Sequence, residues 1–208
     1  MSKSSSSSST SSGARSIQLQ RQTKETHIKL DLCLDGHGDC DIKTGLGFLD
    51  HMITALAYHA RWNLILHCDG DTHVDSHHTT EDCALLLGQA IATCIGARKG
   101  IQRFGYAYAP LDEALTRCVI DLSGRPWPEI NLGLKREMIG QVACEDLVHF
   151  LQSLAMSLKA SIHVDTLKGM NDHHRVESAF KACALALRHA LQKTADSDTA
   201  LSTKGTLS

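Results

Sequence analysis

The sequence predicts an α+β fold made by internal duplication of a strands–helix–strand–helix unit, with two sheets each covered by helices on one face. Three observations predict it. Asp75-Ser76-His77-His78-Thr79-Thr80-Glu81 and Asn171-Asp172-His173-His174-Arg175-Val176-Glu177 both read His-His-x-x-Glu, and each opens a long stretch of helical periodicity. Upstream, Leu49-Asp50-His51 through Leu56-Ala57 aligns with Leu147-Val148-His149 through Leu154-Ala155. The interval from the lone His to the His-His pair is 26 residues in one copy (51 to 77) and 24 in the other (149 to 173). The repeated unit is thus about 95 residues long. A single His is most often an ordinary surface or core residue. The same constellation twice in register is not explained that way.

The elements follow in order. Residues 1–16 are mostly Ser and lack the apolar surface to offset ordering, so they form a disordered arm. Thr26 to Leu34 alternates as a strand, Asp35-Gly36-His37-Gly38 turns, and Cys40 to Thr44 returns as the second arm of a hairpin. Gly45-Leu46-Gly47 breaks the chain before a helix from about Phe48 to His59. A strand from Arg61 to Cys68 precedes the helix from His77 to about Ile95, whose Cys83, Leu86, Leu87, Ala90, Ile91 and Cys94 form a core-facing stripe. Gly96 stops it.

The second copy repeats the order. Strands at Arg103–Ala109, Ala114–Leu122 and Pro128–Leu134 precede a helix from Cys144 to Leu158, a strand from Ser161 to Leu167 and a last helix from His173 to about Lys193. The organisation read from this is an arm at 1–16, a first half at 17–100, a second half at 101–194 and a tail at 195–208.

Composition narrows the class. A formal charge of −2 gives no electrostatic case for nucleic acid or an anionic membrane surface. Thirteen His point to metal or acid–base chemistry. Eight Cys without a CxxC argue against a structural zinc knuckle and for small core residues in a reduced compartment. The sequence shows neither a signal peptide nor an apolar run near 18 residues, so a soluble cytoplasmic protein without membrane contact is expected.

The motifs carry the chemistry. On a helix the first His and the Glu, four apart, share a face, while the second His points about 100° away. One helix therefore offers a His/Glu pair to one metal and a lone His to another. Three His and one Glu per metal suit Mn, Fe or Co with open coordination positions. The assignment is His77, Glu81, His149 and His174 on one metal, and His173, Glu177, His51 and His78 on the other. If the two helices are not adjacent within a subunit, the sharing runs across a subunit interface.

These residues resemble imidazoleglycerol-phosphate dehydratases in their fungal form. The resemblance runs from about Thr23 to Gly205. It rests on Thr44-Gly45-Leu46-Gly47-Phe48-Leu49-Asp50-His51-Met52, both His-His-x-x-Glu motifs, Arg103-Phe104-Gly105, Pro110-Leu111-Asp112-Glu113-Ala114-Leu115, Asp121-Leu122-Ser123-Gly124-Arg125-Pro126 and Ser202-Thr203-Lys204-Gly205. It implies dehydration of imidazole glycerol phosphate to imidazole acetol phosphate in histidine biosynthesis, through a metal-stabilised imidazolate. It implies two Mn2+ per active site and a closed shell of about 24 chains. Arg103, Arg125, Lys181, Ser202 and Lys204 match its phosphate cradle, and the tail at 195–208 thereby becomes substrate-binding. Glu25 matches a carboxylate that contacts substrate hydroxyls or moves protons, beside Glu81 and Glu177 in the catalytic group. Asp112 is either a support for the site or a plain turn residue.

One departure is expected to matter. Where the family has Asp-Asp-His-His, this chain has Asp75-Ser76-His77-His78, so a carboxylate supporting the metal ligands is lost. Two other readings remain. A dinuclear metal-dependent hydrolase of a phosphorylated small molecule would need bridging carboxylates, and only two Glu are on offer. A metal-storage shell would leave the cationic cradle without a role.

Overall fold

The structure is a computed structural model describing residues 14–195 and 201–202. The first half runs β1 (Ser16–Gln22), β2 (Thr26–Cys33), β3 (Cys40–Lys43), α1 (Gly47–Ala60), β4 (Asn63–Gly70) and α2 (His77–Ile95). The second runs β5 (Phe104–Leu111), β6 (Ala114–Asp121), β7 (Trp127–Asn131), the short pair β8 (Met138–Ile139) and β9 (Val142–Ala143), α3 (Cys144–Leu158), β10 (Ser161–Lys168) and α4 (Asp172–Ala190).

Two four-stranded sheets share one topology, β1-β2-β4-β3 and β5-β6-β10-β7. In each, the first three strands are antiparallel neighbours and the last joins in parallel, β3 to β4 and β7 to β10. The helices repeat as well. Both α1 and α3 end at a left-handed residue, Arg61 (φ 63°) and Lys159 (φ 55°). In both, the next N–H returns to an earlier carbonyl, Trp62 to Ala57 at 2.9 Å and Ala160 to Ala155 at 3.1 Å. The α+β architecture with two similar halves is thus as the sequence predicts.

Three local features differ from the sequence reading. β3 does not return along β2. It lies beyond β4, parallel to it. The Asn63 side-chain carbonyl explains the detour, because it accepts the N–H groups of His37, Gly38 and Asp39 at 2.8, 3.2 and 3.2 Å. That clamp carries the loop across the end of β4. Gly36 passes so near Asn63 that an added Cβ would lie 2.5 Å from its backbone nitrogen. A further strand precedes the one read from Thr26: β1 forms the edge of the first sheet from Ser16, with Ile17 and Leu19 packed against the core. Arg15, read as part of the arm, is bonded to Asp35. The β8–β9 pair carried no signal in the sequence.

Each sheet is covered on one face by its own helices, and the two helix pairs pack on one another, α1 on α4 and α2 on α3. One apolar core joins the halves. Phe150 of α3 and Phe180 of α4 meet there with ring centroids 5.3 Å apart, both fully buried. Gly88 sets the spacing of α2 against α3, since a Cβ there would come within 2.9 Å of the Leu154 carbonyl. The cross-pairing of helices from opposite halves decides which ligands can meet.

Candidate metal centre

Two trios form where the helices cross. His51 of α1 meets His173 and Glu177 of α4, and His149 of α3 meets His77 and Glu81 of α2. Within each trio one potential ligand atom per residue lies within 4.8 Å of the others. His51 Nε2 and His173 Nε2 stand 3.1 and 3.2 Å from Glu177 Oε2. His149 Nε2 stands 3.1 Å from Glu81 Oε1, and its ring stacks on that of His77 at 5.0 Å. Two imidazoles converging on one carboxylate are a donor set for a borderline or hard divalent cation.

Among the described residues neither trio includes its fourth expected ligand. His78 and His174 turn away from their helix neighbours, with ring centroids 6.0 Å from His77 and His173 respectively. The physical reason is twofold. The second His of each motif points about 100° around its helix. In addition, α2 packs on α3 and α4 on α1, so the two motif helices do not face one another. The pairing of His174 with His77, and of His78 with His173, therefore does not occur inside the chain.

Both outward rings are held. The Nδ1 of His78 lies 3.0 Å from Asp71 Oδ2 and that of His174 lies 2.7 Å from Glu113 Oε2. A carboxylate on Nδ1 fixes the proton there and leaves the Nε2 lone pair for a metal. His78 is raised by Asp71, and His174 by Glu113. Glu113 is held at about 2 by His174 and by the N–H groups of Asn171 and Met170.

The first motif keeps a supporting carboxylate despite Ser76. His77 Nδ1 reaches Asp146 Oδ1 at 2.9 Å, which raises His77. Ser76 donates its hydroxyl to Asp146 Oδ2 at 2.5 Å and accepts the Ala143 N–H at 3.0 Å. The loss expected from the sequence is therefore made good from α3. Asp146, Asp71 and Glu113 were missed as site residues. Asp146 reads in the sequence as an ordinary acid in a helix's first turn, and Glu113 sat beside Asp112, which was singled out.

Lys181 sits one turn beyond Glu177 and bonds its Oε1 at 2.6 Å. Burial alone would raise Glu177, but Lys181 and His51 hold it at about 2. Glu25, in the β1–β2 turn, lies close enough for its charge to act on His78. Asp112, in the corresponding β5–β6 turn, stands 3.8 Å from His174 Nε2.

The remaining cradle residues lie elsewhere. Arg103 forks onto Asp121 at 2.7 and 3.0 Å and gives Nη1 to the Leu201 carbonyl at 2.6 Å. It thus anchors the chain just before Ser202. Arg125 is exposed, and its carbonyl accepts the Ser161 hydroxyl at 3.4 Å. Arg103 and Arg125 mark the Asp121–Ser161 end of the second sheet, whereas α4 begins just past Lys168 at the other end. The eight residues of β10 separate these ends by about 25 Å. Lys204 lies outside the described residues, as does most of the Ser-rich arm.

The family described as imidazoleglycerol-phosphate dehydratase matches residues 44–187. The chain is 58% identical over 167 residues to the imidazoleglycerol-phosphate dehydratase of Eremothecium gossypii, covering 80% of this chain and 76% of that protein. It is 51% identical over 207 residues to that of Candida glabrata, covering 91% and 98%. The solved imidazoleglycerol-phosphate dehydratase of Pyrococcus furiosus superposes with a TM-score of 0.79 at 34% identity, covering 91% of this chain and all of that one. The Staphylococcus aureus structure gives 0.77 at 34% identity, covering 86% and 99%.

Proposed function

The chain belongs to the imidazoleglycerol-phosphate dehydratase family, and from that premise we propose how its own residues carry the reaction. It is a hydro-lyase that performs the dehydration step of histidine biosynthesis. The observation that carries the proposal is the pair of His–His–Glu trios. Each offers two imidazole nitrogens and a carboxylate oxygen converging within 4.8 Å, which fits a divalent cation.

Mn2+ is the proposed ion at both centres: mixed imidazole and carboxylate donors suit Mn, Fe or Co, and the family resemblance implies Mn2+ among them. Divalent ions held there would supply positive charge that favours loss of a proton from the substrate's imidazole. His77, Glu81 and His149 hold one ion, and His51, His173 and Glu177 hold the other. Glu25, whose charge acts on His78, takes up or returns a proton along the substrate's carbon chain in this reading. Lys181, with Arg103, Arg125, Ser202 and Lys204, holds the phosphate, where Arg forks and Lys point charges suit the oxyanion. A hydrolase using two ions would need a carboxylate shared between them, and Glu81 and Glu177 each belong to a separate trio.

The assembly completes the site in this proposal. His78 and His174 present Nε2 outward and supply the fourth ligand to centres of neighbouring copies. The distance between the Arg103–Arg125 end and the start of α4, where His173 and His174 lie, likewise calls for phosphate contacts from another copy. Phe104, Tyr106, Tyr108, Val119 and Trp127 leave an apolar, exposed sheet face suited to packing between copies. A closed shell of about 24 copies meets these needs.

No helix among the described residues is long and apolar enough to cross a membrane. The proposed compartment is the cytoplasm, supported by Cys83, Cys118, Cys144 and Cys183 behaving as small buried core residues. Incubation with Mn2+ and imidazole glycerol phosphate tests the proposal. Imidazole acetol phosphate should form and its formation should stop on chelation. Release of inorganic phosphate in place of the ketone would overturn it.

A further inference from the structure

The duplication relates the two trios, but their surroundings differ. Three of the four histidines in the His-His-x-x-Glu motifs place Nδ1 against a carboxylate: His77 on Asp146, His78 on Asp71 and His174 on Glu113. Among the described residues His173 is the exception. Its Nε2 reaches Glu177, and its ring lies 5.0 Å from that of Phe48.

The alignment of the halves explains the difference. Phe48 precedes Leu49-Asp50-His51 as Asp146 precedes Leu147-Val148-His149. The same structural position therefore holds an apolar ring in one half and a carboxylate in the other. Ser76 precedes His77 as Asp172 precedes His173. Asp172 is buried and engaged by backbone, its Oδ2 accepting the N–H groups of Lys135 at 2.8 Å and Arg136 at 2.7 Å. Ser76 accepts a different backbone group, the Ala143 N–H, with its hydroxyl. The carboxylate of the first half thus stands on the neighbouring helix. There, 3% exposed, it faces the His77 ring.

A carboxylate on Nδ1 sets ring orientation and tautomer, and such partners are worth about ten- to hundredfold in metal affinity. Among the described residues no carboxylate bonds His173 Nδ1, and the ring is held by packing on Phe48 and by Glu177 at its Nε2. Its centre carries a second handicap, because the Lys181 ammonium sits 2.6 Å from Glu177 Oε1 and competes for that carboxylate. No cationic side chain among the described residues pairs with Glu81 except the ligand His149.

We propose that Asp146 is a positioning residue that makes the two centres unequal. The His77–Glu81–His149 centre takes up its divalent cation first and more tightly, and the His51–His173–Glu177 centre fills second. This rests on the reading of both trios as metal centres.

The test is titration of the chelated, full-length protein with Mn2+, with free ion followed by electron paramagnetic resonance. Two ions per chain should bind in two classes separated by about tenfold or more. Asp146→Asn keeps the shape and, through Oδ1, an acceptor for the His77 Nδ1–H, but it removes the charge and the second acceptor that Ser76 uses. It should weaken the tighter class by about ten- to hundredfold and leave the looser one in place. With one Co2+ per chain, the visible ligand-field bands should differ between wild type and Asp146→Asn, which a merely structural role would not produce. The wild-type titration decides the matter even if Asp146→Asn fails to fold. Two equal classes in wild type, or equal weakening of both by Asp146→Asn, would overturn the inequality while leaving the metal reading intact. No bound Mn2+ at all would overturn both.

Discussion

His51 on α1 and Glu177 on α4 meet at 3.1 Å across 126 positions of sequence. His149 and Glu81 repeat the contact in the other direction between the halves. Each centre therefore takes its lone His from one half and its His/Glu pair from the other. His51→Ala should cost the ion at the α4 centre, and His149→Ala the ion at the α2 centre. Metal content per chain after gel filtration should fall from two to one in each variant. Loss of both ions, or of neither, would contradict the division into trios.

Arg103 holds the Leu201 carbonyl at 2.6 Å, so Leu201 is tied to the second sheet. Truncation after Asp198 removes that contact together with Ser202 and Lys204. A charge-assisted hydrogen bond is worth about 1.5–3 kcal/mol, so KM should rise roughly ten- to a hundredfold. Some loss of kcat is expected too, because phosphate binding also orients the ring. Steady-state kinetics on ketone formation checks this, and unchanged constants would remove the tail from the site.

Much of this was legible in the sequence, for identifiable reasons. α2 and α3 fall at the bounds that apolar periodicity gave, His77–Ile95 and Cys144–Leu158, because each has a long amphipathic face and a clear stop. The duplication was legible because it repeats chemistry, not only pattern. Long-range pairing was not. Nothing local says that β4 lies between β2 and β3, since the Asn63 clamp acts across 26 positions. Nothing local says that Asp146 faces His77, 69 positions away. Helical spacing fixes the direction of His78 and His174, but the packing partner of each helix is a tertiary fact, so the sequence left open whether their pairing lies within one chain or across an interface.

Metals that bridge copies also hold them together, since ion binding is then association energy. Stripping the protein with chelator should lower the particle mass measured by light scattering, and Mn2+ should restore it. A mass unchanged in the metal-free protein would count against His78 and His174 serving neighbouring copies.

Asp35 links the two ends of the chain, bonded to Arg15 at 2.6 Å and Lys193 at 2.9 Å. Burial works to raise its carboxyl, but Arg15 and Lys193 outweigh it and hold Asp35 well below the usual carboxylate range. A value lowered by folding contributes stability that is fully present above the unfolded value, about 4, and is lost as pH falls towards the folded one. Asp35→Asn should therefore cost about 1–3 kcal/mol at neutral pH. The gap to wild type should close as pH drops below about 4. Thermal unfolding of both proteins between neutral and acid pH reads this directly, and a gap that widens with acid would contradict the sign.

The central claim is that two trios, built across the duplication, each hold a divalent ion completed by a neighbouring copy. Anomalous diffraction at the manganese edge, on crystals of the Mn2+-loaded protein, measures it most directly. The account predicts two peaks per chain, one among His77, Glu81 and His149 and one among His51, His173 and Glu177, with His174 or His78 of another copy as the fourth protein ligand. Peaks away from both trios, or a fourth His from the same chain, would contradict it.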